Sequence, residues 1–225
     1  MALRDAGHRV VNVACSLGRP EQRARREAEL REACRLAGFE LRLPAKPVPI
    51  SRDSDPAAAH AELKELALKA ITDLDPRIVL SPGPGDRHHG HRLVAGAVQD
   101  AISERGPAPP PLWMWALWGP LPQPTLGTLF DQARLEEILT ALDAHRSELA
   151  RNDFRRLVRG RAEMNAVLAA ELLFGFGAET LPNASYAELL TEVVYADDRW
   201  LLGRPRWLDA GRPLCDPTRA EAVLG

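Results

Sequence analysis

Short apolar runs alternate with longer segments of helical period through the first half of the chain. Residues 9–15 place Val10, Val11, Val13 and Ala14 in a β-branched run that reads as a strand, and residues 2–7 before it read as the last turns of a helix closed by Gly7. A charged, periodic segment over 21–36 carries Leu30, Ala33, Cys34 and Ala37 on one face and stops at Gly38, which predicts a helix. Residues 39–43 read as a second strand, and Asp55-Pro56 opens a helix to about Leu74. Asp75-Pro76 hands over to a strand at 77–80, a helix follows over 91–105, and a tryptophan-bearing strand occupies 112–117. Strands that alternate with helices imply parallel pairing through right-handed crossovers. The expected fold is therefore α/β, a Rossmann-like, doubly wound and mostly parallel sheet.

The pattern changes after this point. Residues 120–127 read as a loop, 131–150 and 154–173 as helices, and 192–195 as one strand before Gly/Pro/Trp-rich loops. In the second helix Met164, Val167, Leu168 and Leu172 recur at helical spacing, which reads as a core face. The expected organisation is a single domain over 1–225, with the sheet core in about 1–118 and helices and loops in about 119–225.

Composition narrows the function classes. An apolar content of 45% over 225 residues supports a sizeable core. A net charge of −2 leaves no global basic field, so no nucleic-acid partner is expected. Lys46, Lys64 and Lys69 are the only lysines, and the cluster Arg23, Arg25, Arg26 reads as a solvated helix face. Cys15, Cys34 and Cys215 are too scattered for a disulfide framework and read as buried small hydrophobes. No apolar run reaches membrane-spanning length and no secretory segment precedes the first strand, so a cytoplasmic location is expected.

Candidate chemistry concentrates after the strand at 77–80. Ser81-Pro82-Gly83-Pro84-Gly85-Asp86-Arg87-His88-His89-Gly90-His91-Arg92 is a Gly/Pro turn running into a helix, at the carboxyl end of a strand where α/β sheets place ligands. His88 and His91 are three apart, a spacing that turns two rings toward one cavity at a loop-to-helix junction. The same loop also reads as a solvated turn, because a catalytic zinc needs three protein ligands. Pro82 and Pro84 remove donors that a phosphate cradle requires, and no Gly-x-Gly-x-x-Gly, Walker or Gly-x-Ser-x-Gly motif is present. Asp197-Asp198 reads as a solvated turn.

Taken together, several segments resemble the LmbE-like (PIG-L) family of zinc-dependent N-deacetylases. Ala6-Gly7-His8-Arg9-Val10-Val11 resembles the family's second strand and its approach, and Arg26-x-x-Glu29 with Ala33 and Gly38 its Arg-x-x-Glu helix. Asp75-Pro76-Arg77-Ile78-Val79-Leu80 resembles its fourth strand, and His88-His89-Gly90-His91-Arg92 its His-x-x-His signature. Ala141-Leu142-Asp143-Ala144-His145-Arg146-Ser147 resembles its Ala-Leu-x-x-His-x-Ser helix.

The resemblance implies a zinc-dependent hydrolase that removes an N-acetyl group from an N-acetylglucosamine-type amino sugar or its conjugate. It implies His91 as a zinc ligand, His88 as the ring that steadies the oxyanion or protonates the leaving amine, and Arg26 as a substrate contact, while His145 reads as structural. Gly90 stands where the family commonly has aspartate, and the family's His-Pro-Asp-Asp motif, source of its other ligands and its general base, does not occur in residues 1–225. The expectation is an N-terminally incomplete domain in which the runs at 10–15 and 77–81 lack a common neighbour. The rival expectation is a non-catalytic sugar-binding or interaction protein on the same fold.

Overall fold

A computed structural model of the protein describes residues 1–51, 53–106, 108–179 and 184–208. Its first half alternates as the pattern requires: helix α1 (Ala2–Asp5), strand β1 (Val11–Val13), α2 (Arg23–Ala37), β2 (Glu40–Arg42), α3 (Pro56–Leu74), β3 (Val79–Pro82), α4 (His89–Ser103) and β4 (Leu112–Trp115). Local chemistry sets the ends. Gly38 closes α2 in the left-handed region at φ 70°, where a side chain is disfavoured. Asp55 caps α3 by accepting from the Ala57 N–H, with Pro56 at the first helical position.

The second half supplies strand β5 (Leu126–Phe130), helices α5 (Gln132–Leu142), α6 (Arg146–Leu149) and α7 (Phe154–Phe174), and strands β6 (Tyr186–Ala196), β7 (Arg199–Leu202) and β8 (Arg206–Trp207). The sheet core therefore runs well past residue 118 and takes in the part read as helices and loops. Gly127 disguises β5 in the sequence. A Cβ there would lie 2.5 Å from the Trp207 ring and 2.9 Å from Leu173, so glycine is needed for close packing. The Asp197-Asp198 pair is a two-residue hairpin turn between β6 and β7, with φ of 50° and 58°. The helix expected over 131–150 is broken between α5 and α6, at residues 143–145.

The strands fall into two sheets. β1 and β2 pair in parallel as one sheet of their own. β3 pairs with β4 in parallel at the edge of a larger sheet ordered β3-β4-β6-β5-β8, with β7 on β6. β6 is antiparallel to β4, β5 and β7, so this sheet is mixed. Among the described residues no ladder joins β1 to β3.

Ile71 of α3, Ala101 and Ile102 of α4, Leu112 and Met114 of β4 and Val193 of β6 form one buried cluster. A second packs Ala166, Ala169 and Leu173 of α7 against Ala187 and Leu189 of β6. Met164, Val167, Leu168 and Leu172 are not the core face of α7, being 40–70% exposed. The helix instead turns Ala162, Asn165, Ala166, Ala169, Ala170 and Leu173 inward, because small side chains let its backbone approach β6 closely. Asn165 Nδ2 donates to the Ala187 carbonyl at 3.3 Å across that contact. At the centre of the sheet the buried Glu192 carboxylate accepts from Trp113 Nε1 at 2.9 Å and from both Arg206 terminal nitrogens at 2.6 and 2.8 Å. Cys34 is buried and Cys15 half-buried, both as free thiols, while Cys215 lies outside the described residues. Among the described residues no helix is long and apolar enough to cross a membrane.

Candidate active site

β3 ends at Pro82 and α4 begins at His89, and the loop between them is organised by Asp86, which is 2% exposed. One carboxylate oxygen accepts from the His88 N–H at 2.8 Å, the local turn that aspartate makes with the amide two residues on. The other accepts from the Leu117 and Trp118 amides at 3.0 and 3.2 Å. The Arg161 guanidinium of α7 donates to the Ala116 carbonyl and, at 2.8 Å, to that of Leu117, so the segment after β4 is held from both sides. Burial alone would push the Asp86 carboxyl up. The amides of His88, Leu117 and Trp118, together with the His91 ring, outweigh it and hold the group at about 2.

This anchoring sets His88 at the N-cap of α4 and His89, Gly90 and His91 in its first turn, two residues earlier than the sequence pattern placed the helix start. The rings gather. His88 lies 4.7 Å from His91 and 5.0 Å from His89 between ring centroids, and His91 meets the edge of Trp115 at 5.2 Å. His91 Nδ1 is 3.2 Å from an Asp86 oxygen, within ion-pair reach but without hydrogen-bond geometry. His89 Nε2 is buried without a hydrogen-bond partner. Burial lowers the His88 pKa, and His91 and His89 beside it act in the same direction, so the ring is uncharged at neutral pH.

The Arg-x-x-Glu helix and the His-x-Ser segment meet. Arg26 of α2 pairs with Glu148 of α6 at 2.6 Å, and Glu29 accepts from the Ser147 N–H and hydroxyl. The arginine cluster is therefore divided: Arg25 is exposed, whereas Arg23 and Arg26 each bury an Nε without a hydrogen-bond partner. His145 stands at the N-cap of α6, its pKa lowered by burial.

Arg26, His88, His91, His145 and Trp118 all line one cleft of about 2080 Å³, which lies between β1 and β3. The three residues expected to act in the site thus share one cavity. Sequence reasoning passed over Asp86 as a structural hub, and with it Arg151 and Trp118 on the wall. The signal that could have found Asp86 is its place two residues before the helix-capping histidine.

The residues present do not fit a catalytic zinc. Among the described residues no group of three or more His, Cys, Asp and Glu side chains is placed to hold a metal ion. Asp86 spends its oxygens on backbone amides, which leaves His91 as the single assigned ligand against the three that such a site requires.

No protein-family model matches the sequence, and no curated protein is detectably similar to it. Solved structures do resemble it. The zinc-inhibited form of a teicoplanin deacetylase is 14% identical with a TM-score of 0.60, covering 88% of this chain and 91% of that one. N,N'-diacetylchitobiose deacetylase from Pyrococcus horikoshii is 15% identical with a TM-score of 0.58, covering 84% and 74%. The 4-carboxy-2-hydroxymuconate hydratase from Pseudomonas putida is 18% identical with a TM-score of 0.59, covering 86% and 88%. The likeness is one of fold.

Proposed function

We propose that the cleft is the site of a cytoplasmic amide hydrolase of the N-deacetylase type, acting on an N-acetylated amino sugar or its conjugate. The observation that carries the reading is the histidine cluster, built on the buried Asp86 and facing the same cleft as Arg26. Two of the similar structures are deacetylases, of teicoplanin and of N,N'-diacetylchitobiose. Because a hydratase shares the fold, fold alone does not select the chemistry, and the argument rests on the side chains.

His88, uncharged at neutral pH, offers one ring N–H to a developing oxyanion, a contact that strengthens as charge builds on the carbonyl oxygen. Of the two roles that the family resemblance implies for this ring, the lowered pKa favours oxyanion stabilisation over delivery of a stored proton. His91 Nδ1 stands 3.2 Å from the Asp86 carboxylate, and its ring meets the edge of Trp115. Arg26, its charge balanced by Glu148, offers donors to sugar hydroxyls at the cleft wall. The family resemblance implies zinc, and among the described residues His91 is the single side chain it assigns as a ligand.

The short ligand set favours a second reading, a protein that binds the acylated sugar without cleaving it. The test is amine release from N-acetylglucosamine and N,N'-diacetylchitobiose, with and without added zinc, run beside saturation-transfer NMR of the same sugars. Release of free amine supports the hydrolase, binding without release supports the second reading, and neither would refute both.

A further inference from the structure

Met164, Val167, Leu168 and Leu172 stand on the outward face of α7, away from the alanines and Leu173 that pack on β6. Val167 is the most exposed of the four, at 70%. Exposed apolar patches rimmed by polar residues mark interaction surfaces. Here the rim is ordered. Arg156, Gly160, Glu163, Val167 and Glu171 follow one another at helical spacing and form one row along α7, with Met164, Leu168 and Leu172 in the row beside it.

Three members of that row lack a counterpart in the single chain. Arg156 is exposed, and its guanidinium has no ion-pair partner among the described residues. Glu171 accepts from the Gly177 N–H at 2.9 Å through Oε2, which leaves Oε1 open. A Cβ on Gly160 would meet nothing within 4 Å. Glycine inside a helix is destabilising relative to alanine, and nothing packed around Gly160 in the single chain requires it.

We propose that α7 is a self-docking surface, on which two copies of the chain pair their α7 helices antiparallel about a twofold axis lying between Glu163 and Met164. Residues equidistant from such an axis face each other, and each contact forms twice. Arg156 then meets Glu171 of the partner subunit, and Gly160 meets Val167 of the partner subunit. The most exposed apolar side chain thus fills the gap left by the glycine, and each unpaired guanidinium gains a carboxylate. A parallel pair would instead set Arg156 against Arg156 and Glu171 against Glu171. A lipid surface fits less well, because Glu163 and Glu171 lie in the same row and interfacial helices carry Lys and Arg instead. The contact runs along about 22 Å of helix, at the small end of specific interfaces, so the dimer is weak and concentration-dependent.

The experiment is sedimentation velocity of the full chain over a concentration series, beside charge-reversed variants and lipid vesicles. The wild type should pass from one to two chains, and Val167→Glu should remain monomeric. Arg156→Glu and Glu171→Arg should each raise the dimer Kd about 10-fold, and the double reversal should restore it. With a short bismaleimide, Met164→Cys should link to its own copy beyond the wild-type background. Leu172→Cys, about 25 Å from its copy along the helices, should not. A wild type that is monomeric throughout, a dimer indifferent to Val167→Glu, a double reversal that restores nothing, or equal linking at both cysteines would overturn the proposal. Binding of monomers to vesicles would overturn it in favour of a lipid surface. None of these readouts depends on hydrolysis, so failure here leaves the enzymatic reading standing on its own test.

Discussion

Glu29 accepts two hydrogen bonds from Ser147, one from the backbone N–H at 3.1 Å and one from the hydroxyl at 2.5 Å, across 118 residues of chain. With the Arg26–Glu148 pair one residue further along α6, this contact pins α2 to the segment that carries His145. Glu29→Ala leaves the Ser147 amide without that acceptor, which costs about 1–3 kcal/mol. The urea midpoint should fall without a change in slope, and Glu29→Gln, which keeps an acceptor, should fall less. An unchanged midpoint for Glu29→Ala would make the contact incidental.

Asp86 should leave its mark on acid stability. Its folded pKa of about 2 lies below the ordinary 3.8, so the folded state binds fewer protons than the unfolded one. The stabilisation is fully present above the unfolded value and is lost as pH falls through the folded one, and it amounts to about 2 kcal/mol. Urea midpoints at pH 5 and pH 2 should show the gap between wild type and Asp86→Asn shrinking as pH falls. A gap independent of pH would assign the effect to packing alone.

The buried Glu192–Arg206 pair should be costly to break and cheap to replace. Removing one partner leaves a buried charge, so Arg206→Ala should destabilise by about 3–5 kcal/mol. Arg206→Met combined with Glu192→Leu should recover much of that loss, although Trp113 Nε1 then loses its acceptor. Equal losses in the single and double variants would show that the charges are not coupled.

Zinc should bind weakly. With His91 as the single assigned ligand among the described residues, calorimetric titration of metal-free protein should show no tight, stoichiometric site. A tight site with one zinc per chain, lost in His91→Ala, would contradict the ligand assignment made here.

What the sequence made legible was local. The helix stop at Gly38, the Asp55-Pro56 start and the strand-loop-helix around the histidines each depend on residues within a turn of one another. The same is true of His88 and His91 as neighbours at one helix end. What escaped depends on distant partners. Asp86 looks like any loop aspartate until Leu117 and Trp118, 31 and 32 residues away, present their amides. Gly127 reads as a strand breaker until Trp207 is seen across it. The face that α7 buries is hard to see in the sequence because alanine carries little hydrophobic signal, while the larger Val167 and Leu172 stand exposed.

The central claim is that His88 serves a hydrolytic centre in the cleft, and acetate release from N,N'-diacetylchitobiose by wild type and His88→Ala measures it most directly. The account predicts measurable release by the wild type and a fall in kcat of about 10²- to 10³-fold in His88→Ala with KM little changed, as expected for a donor that acts in the transition state. No release by the wild type, or release by His88→Ala at the wild-type rate, would contradict it.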